Sequence, residues 1–504
     1  MKKKITVIFL AAVLVLSGCG GSGGNGGDTD PSERDTLIFG IEDDATIMDP
    51  TQVGDNITQS LLGNIFEPIV RQDEAGRIVP GLADSWEISE DGLEYTFHLA
   101  EGVTFHDGVP VTVEDVIFSI GLYMESAYTS PYMGFIDYCE KIDDSTLNVV
   151  LQYPFAPALS TFVMYTGVVR EDFYDDDGNM IGREPIGCGP YTFVEWAPGN
   201  RIVLKANEDY FRGAPPIENI IYRIIADKTT AAIALEKGEV DMYQNLAHTD
   251  LDTIRAVPGL DVLVQSSGWF FFLMLNTEAP PFDDMRVRQA VAKSVDKEGI
   301  VHAIMDGNAE VATSFISKGM PGYIEGFDPF PYDPDGAIEL LADAGYPDGF
   351  DTTIIVPESR RDHAQIIQAN LRSIGINAEI EVLEVGAYWD RLEAGEFDIS
   401  FVRWGYMFMD PDVGIYSLYK SDEILSGNYV RYDNPTVDEL LEEARAESDP
   451  VRRDALYQEL EEIVMTEAAF VPVFWSYSNL GYNTDIHNVQ IPMADNYMMY
   501  RFSW

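Results

Sequence analysis

Most residue types that could do chemistry in this chain are present without the spacing that chemistry needs. Six histidines, at 98, 106, 248, 302, 363 and 487, are scattered, and no two stand four residues apart. They make no ligand-spaced metal cluster. His-Glu-x-x-His and the Gly-x-x-x-x-Gly-Lys-Ser/Thr phosphate loop are absent from the sequence, and Gly-x-Ser-x-Gly occurs only as Gly20-Gly21-Ser22-Gly23-Gly24, within a Gly-rich run rather than between a strand and a helix. With 85 acidic residues, any pair of carboxylates at glycosidase spacing is a chance pair. Asp175-Asp176-Asp177-Gly178-Asn179 suggests calcium, but no Glu follows in the register of a calcium loop, so a hairpin turn is the simpler account. Cys139 and Cys188 are too few for a disulfide framework, and sequence leaves open whether they pair. No metal or cofactor is expected. An exported hydrolase stays in view as a rival class, but recognition suits these residues better than catalysis.

One residue does have a chemical context. Lys2, Lys3 and Lys4 precede the apolar run Ile5 to Leu16, which is too short to cross about 30 Å of hydrocarbon. The run ends at Leu16-Ser17-Gly18-Cys19, which resembles a lipobox; cleavage there would make Cys19 a lipidated N-terminus. The Gly/Ser-rich stretch after it suits a flexible tether, reaching about 20 Å. Residues 1–18 are therefore read as a lipoprotein signal peptide and 19–35 as a tether, with the body outside the cytoplasmic membrane.

The remaining length calls for two or more lobes. Net charge is −53, and three units more negative without Lys2, Lys3 and Lys4. Such a chain repels nucleic acid, which is excluded as a partner. The acids are interspersed with core patterns, as on a solvated acidic surface suited to high ionic strength. The melting temperature should rise between about 0.1 and 2 M salt as self-repulsion is screened; no rise would contradict this.

The elements that must position any site alternate in type. Strands are expected at Thr36–Ile41, Glu94–Leu99, Thr146–Leu151, Tyr191–Glu195, Arg201–Lys205 and Ile220–Ile225. Apolar residues at helical spacing run from Thr58 to Val70, and Thr112 with Asp115 predicts a capped helix start. Met285–Met305 reads as one long amphipathic helix. From Asp335 the order is helix, strand Thr352–Val356, helix Asp362–Ser373, strand Asn377–Leu383, helix Val385–Ala394, strand Asp398–Arg403. This is the βαβ pattern of an α/β lobe. Helices Thr436–Ala446 and Val451–Thr466 and the strand Val471–Trp475 follow.

Several blocks then resemble, in order, the peptide/nickel-type (family 5) solute-binding proteins of ABC importers. They include Pro80-Gly81-Leu82-Ala83-Asp84-Ser85-Trp86, Gly102-Val103-Thr104-Phe105-His106-Asp107-Gly108 and Gly187-Cys188-Gly189-Pro190-Tyr191. Leu275-Asn276-Thr277, Ala344-Gly345-Tyr346-Pro347 and Asp410-Pro411-Asp412 continue the series. The resemblance implies an α/β, two-lobed periplasmic-binding-protein fold (type II) with an extra α/β subdomain on the first lobe. Lobe I would combine 36–55, 187–268 and 477–504; the subdomain would be 56–186; lobe II would be 269–476.

It also implies a small solute, peptide first and oligosaccharide or metal chelate next, held between the lobes and delivered to membrane permease subunits. The implied ligand-binding residues are Ala45, Thr46, Ile47, Trp269, Asn276, Trp404, Gly405, Tyr406, Met407 and Asp410. Trp404 and Tyr406 suit stacking, and Trp269 would open a strand crossing between lobes. Arg403 and Arg431 could meet a ligand carboxylate. Peptide binders of the family often hold the ligand's amine with an Asp where this chain has Met407, and a thioether cannot pair an ammonium. Asp410 is the alternative carboxylate. His98 and His106 are expected to be structural.

Overall fold

The structure, a computed structural model, describes residues 34–73, 76–174, 181–406, 410–492 and 496–504. The expected signal peptide, Cys19, the expected tether up to residue 33, Asp175 to Asn179 and Met407 lie outside the described residues. Asp35–Trp504 form one compact unit.

The backbone of this unit is a sheet of eleven strands among the described residues. From one edge the order is Ile376–Leu383, Phe350–Pro357, Ile399–Gly405, Leu260–Leu275, Phe470–Asn483, Met242–Gln244, Thr36–Ile41, Asn219–Ile224, Arg201–Ala206 and Tyr191–Ala197. Ala309–Val311 pairs with Phe470–Asn483 off this path. Phe350–Pro357 is parallel to both its neighbours, the βαβ arrangement the sequence pattern requires. At the start of that pair, a Cβ on Gly349 (φ +75°) would lie 1.9 Å from the Gly375 carbonyl, so only glycine lets the strands begin together. A separate antiparallel sheet, Ala83–Ile88, Glu94–Leu99, Thr146–Leu151 and Ile136–Lys141, is covered by the helix Val113–Glu125. Thr112 and Asp115 close the expected capping box at that helix's start.

Two long antiparallel strands, Leu260–Leu275 and Phe470–Asn483, run from one half of the sheet into the other. Phe270, Phe272 and Met274 point into a core with Phe315, Tyr406 and Phe470. Phe271, Leu273 and Leu275 point the opposite way, toward Val287, Ile354 and Phe401. A strand covered on both faces needs a continuous apolar run, which is what Trp269 to Leu275 supplies. Between Ser266 and Phe270 the pairing slips. There the Ser267 and Ser476 hydroxyls lie 2.8 Å apart, and Ser267 Oγ accepts from the Trp269 amide.

Four expectations need correction. Met285–Met305 is two helices, Met285–Ser294 and Lys297–Met305, because Val295 and Asp296 both leave helical geometry and Asp296 caps the second through Gly299 N–H. Thr58 to Val70 is helical only over Asn56–Leu62, and Val70 opens a short hairpin. Trp269 does not open the crossing strand, which begins nine residues earlier at Leu260. Val471–Trp475 is the first part of a 14-residue strand whose polar middle, Ser476 to Asn479, hid its length. Cys139 and Cys188 are both free.

Candidate ligand-binding site

Phe350–Pro357, Ile376–Leu383 and Ile399–Gly405 are parallel, so their carboxyl ends share one edge of the sheet. Such edges are where open α/β sheets bind ligands, because the loops leaving the strands diverge there. The edge carries the turn Glu358–Arg360, the helix Val385–Ala394 and Tyr406, which follows the third strand. Trp269 joins it across the antiparallel register, opposite Gly405. In the other half, Thr36–Ile41 is parallel to Asn219–Ile224 and Met242–Gln244, and Ala45 to Ile47 follow its carboxyl end.

Trp269, Trp404, Gly405 and Tyr406 come together. A Cβ on Gly405 would sit 2.3 Å from the Trp269 ring, so glycine lets the indole lie flat on the backbone. The Arg403 guanidinium covers that ring at 3.7 Å from its centroid, a cation–π contact. Trp404 is half-buried and donates from Nε1 to the Gly414 carbonyl (3.0 Å). Tyr406 is fully buried, donates to the Phe315 carbonyl (2.8 Å) and packs on Phe270 and Trp475. The Tyr406 ring is therefore part of the floor.

Asp410 has both oxygens engaged. It makes a bidentate pair with Arg453 (2.8 Å each) and caps the helix Pro411–Tyr419 through the Asp412 amide. Asp412 makes a second bidentate pair with Arg445 (2.9 Å each). Asp410 is thus committed to Arg453 and to the helix start, and its carboxylate is not open to an ammonium. Asn276 stands at the far end of its strand, about 20 Å along from Trp269 at 3.3 Å per residue. Its amide donates to the Gly395 and Phe397 carbonyls. Arg431 is likewise held by the Leu392, Tyr429 and Glu393 carbonyls and pairs with Glu278. His98 bonds Thr146, and His106 bonds the Gly187–Gly189 backbone. Ala45 is buried, Thr46 is tied to Asp55 and Thr58, and Ile47 packs on the core around Leu37.

Two residues of this edge escaped the sequence reading. Arg360 is half-buried and makes no ion pair with any carboxylate among the described residues. Burial lowers its pKa, opposed only by the nearby Tyr388 hydroxyl. Beside it, His363 has both ring nitrogens buried without a partner and stacks on Phe271 and Phe401. Burial first, and Arg360 second, push its pKa down to about 4, so it is neutral at physiological pH. The only signal in the sequence was position: Arg360 falls three residues beyond a strand's carboxyl end.

Beneath Tyr406 lies Glu461, fully buried and bonded to the Ser314 and Tyr419 hydroxyls. Burial raises its pKa to about 7 from an ordinary 4.5. The folded state therefore holds a proton that the unfolded chain has lost between these values. Its contribution to stability is full below about pH 4.5 and declines as pH rises toward 7. Glu461→Gln should flatten that decline in a denaturant-midpoint series, and an unchanged slope would contradict the assignment. Among the described residues no three His, Cys, Asp or Glu are grouped to hold a metal.

Residues 77–426 match the profile of the bacterial extracellular solute-binding proteins, family 5. This chain belongs to that family. Heme-binding protein A of Haemophilus influenzae is 30% identical, aligned over 94% of each chain. The structure of HbpA2 from Haemophilus parasuis is similar with a TM-score of 0.87 at 28% identity, covering 93% of this chain and 99% of that one. The periplasmic binding protein DppA from Helicobacter pylori, in complex with the peptide STSA, is similar with a TM-score of 0.78 at 30% identity, covering 93% and 98%. The family 5 fold is two-lobed, and the paired crossing strands are where this chain passes between its halves.

Proposed function

We propose that this family 5 protein is the solute receptor of an ABC importer, capturing a short peptide between two lobes and releasing it, chemically unchanged, to a membrane permease. Lobe I comprises 36–55, 187–268 and 477–504, with 56–186 as its subdomain, and lobe II is 269–476. They close about the slipped pairing at Ser266 to Phe270. Cys19 carries the lipid that keeps the receptor outside the cytoplasmic membrane, and the acidic excess lies on its surface.

The observation that carries the peptide reading is Arg360. In a chain with 85 acidic residues against 32 basic ones, a half-buried guanidinium with no described acidic partner, its charge disfavoured by its surroundings, suits a ligand that completes it. Its planar fork suits a carboxylate, and charge-assisted bonds of this kind are about twice as strong as neutral ones. A free peptide carries one carboxylate at its end and backbone amides along its length. The peptide held by the Helicobacter pylori relative supports this class. With Met407 in place of an acid and Asp410 committed to Arg453, the ligand's carboxyl end rather than its amine is the anchored one. Trp269 and Trp404 line the same edge for stacking.

A thermal-shift panel of tripeptides, oligosaccharides, heme and metal chelates at high salt tests the reading. Free-acid peptides should raise the melting temperature and be recovered intact, and Trp404→Ala should abolish the shift. A shift from saccharide, heme or chelate alone, or hydrolysis of the peptide, would overturn it.

A further inference from the structure

The helix Pro411–Tyr419, which continues the site segment, touches two separate cores. Ile415, Leu418 and Tyr419 belong to the core around Phe270 and Phe315. Val413 packs instead on the core around Phe97 and Phe162, which carries the four-stranded sheet. At the same place the turn Tyr153 to Ala156 meets the second half directly. The Ala156 amide donates to the Arg445 carbonyl (2.8 Å). The Arg445 guanidinium lies 3.0 Å from the Tyr416 ring centroid and 5.6 Å from that of Phe155, while holding Asp412 bidentately.

We propose that the Tyr153–Ala156 turn is a clasp, with Arg445 as its pivot, that holds the subdomain of the first lobe against the second and sets how readily the lobes part. The parts fit this role. Backbone donates to backbone, so the contact does not depend on a flexible side chain. Arg445 is fixed on the second-lobe side by Asp412, which is 2% exposed in its side chain. Asp412 is two residues from Asp410, and Asp410 is fixed by Arg453. Trp404 donates to the Gly414 carbonyl of the same helix, so the clasp and this site residue are joined through Pro411–Tyr419. Opening the clasp must load the helix that follows the site, and ordering the site must favour the clasp. The proposal rests on the peptide-cleft reading only for its consequence, slower ligand exit while the clasp is shut.

The test uses ligand-free protein, so it stands whether or not a peptide proves to be the ligand. Arg445→Gln removes the bidentate pivot. Ala156→Pro removes only the amide donor, because Ala156 is the first corner of a turn closed by Ala158 N–H on the Phe155 carbonyl, a position proline favours. Small-angle X-ray scattering should show a larger radius of gyration for both variants. Hydrogen exchange should quicken about 10-fold or more across Pro411–Tyr419, while Thr36–Ile41 keeps its protection. An unchanged radius in both variants, or exchange rising equally throughout the chain, would overturn the clasp.

Discussion

Arg360→Met should weaken binding of a free-acid tripeptide by about 100-fold or more while leaving the ligand-free protein as stable as before. The two halves of this expectation have one cause. Removing one partner of a buried, hydrogen-bonded charge pair costs about 2–5 kcal/mol of affinity, and about 1.4 kcal/mol is a factor of ten. Ligand-free, the guanidinium has no described carboxylate to lose, and burial already disfavours its charge. A Met of similar length removes that cost, so the melting temperature should hold or rise. The same residue predicts which end of the peptide matters. A C-terminally amidated tripeptide should lose affinity as the variant does, whereas an N-acetylated one should keep most of it. Calorimetric titration distinguishes these, and equal losses from amidation and acetylation would contradict the role given to Arg360.

Arg453→Ala should be the most destabilising change in the site region. It leaves Asp410 buried and charged, with Asp412 and its Arg445 partner close by. Breaking one side of a buried pair costs about 3–5 kcal/mol. It also frees a guanidinium bond to the Ala444 carbonyl and another to the Tyr457 hydroxyl. The urea midpoint should fall steeply. Asp410→Asn combined with Arg453→Met should recover much of the loss, because Asn keeps the helix cap and neither position then buries an unpaired charge. A double variant as unstable as Arg453→Ala would mean that the charges are not the cause.

The parts of this fold readable from sequence were those governed by local periods and punctuation. Val385–Ala394 was legible because Gly395 stops it in a left-handed conformation, and Phe350–Pro357 because apolar residues run between turn signals. The breaks that were missed are set by single polar residues whose partners are distant or hidden. Asp296 caps a new helix just after Val295 leaves the old one, with no change in apolar period. The crossing strands were cut short because Gln265 to Gly268 and Ser476 to Asn479 look like loop, although each strand runs through them unbroken. At the site, Trp269, Trp404, Gly405 and Tyr406 were legible as a group because the family blocks bracket them. The part each plays depends on register: Tyr406 points into the core, and the Trp269 ring rests on Gly405. Asp410 looked available because its partner is 43 residues away. Arg360 was passed over because its defining feature, a half-buried charge without a described partner, exists only in three dimensions.

We propose that a peptide occupies the edge bearing Arg360, Trp269 and Trp404. Native mass spectrometry of the full chain, purified gently at high salt and then denatured to release what it carries, tests this most directly. The expected result is a set of short peptides with free carboxyl ends, retained by the native protein and absent from Arg360→Met. Recovery of a saccharide, heme or a metal chelate instead, or of the same peptides from both proteins, would contradict it.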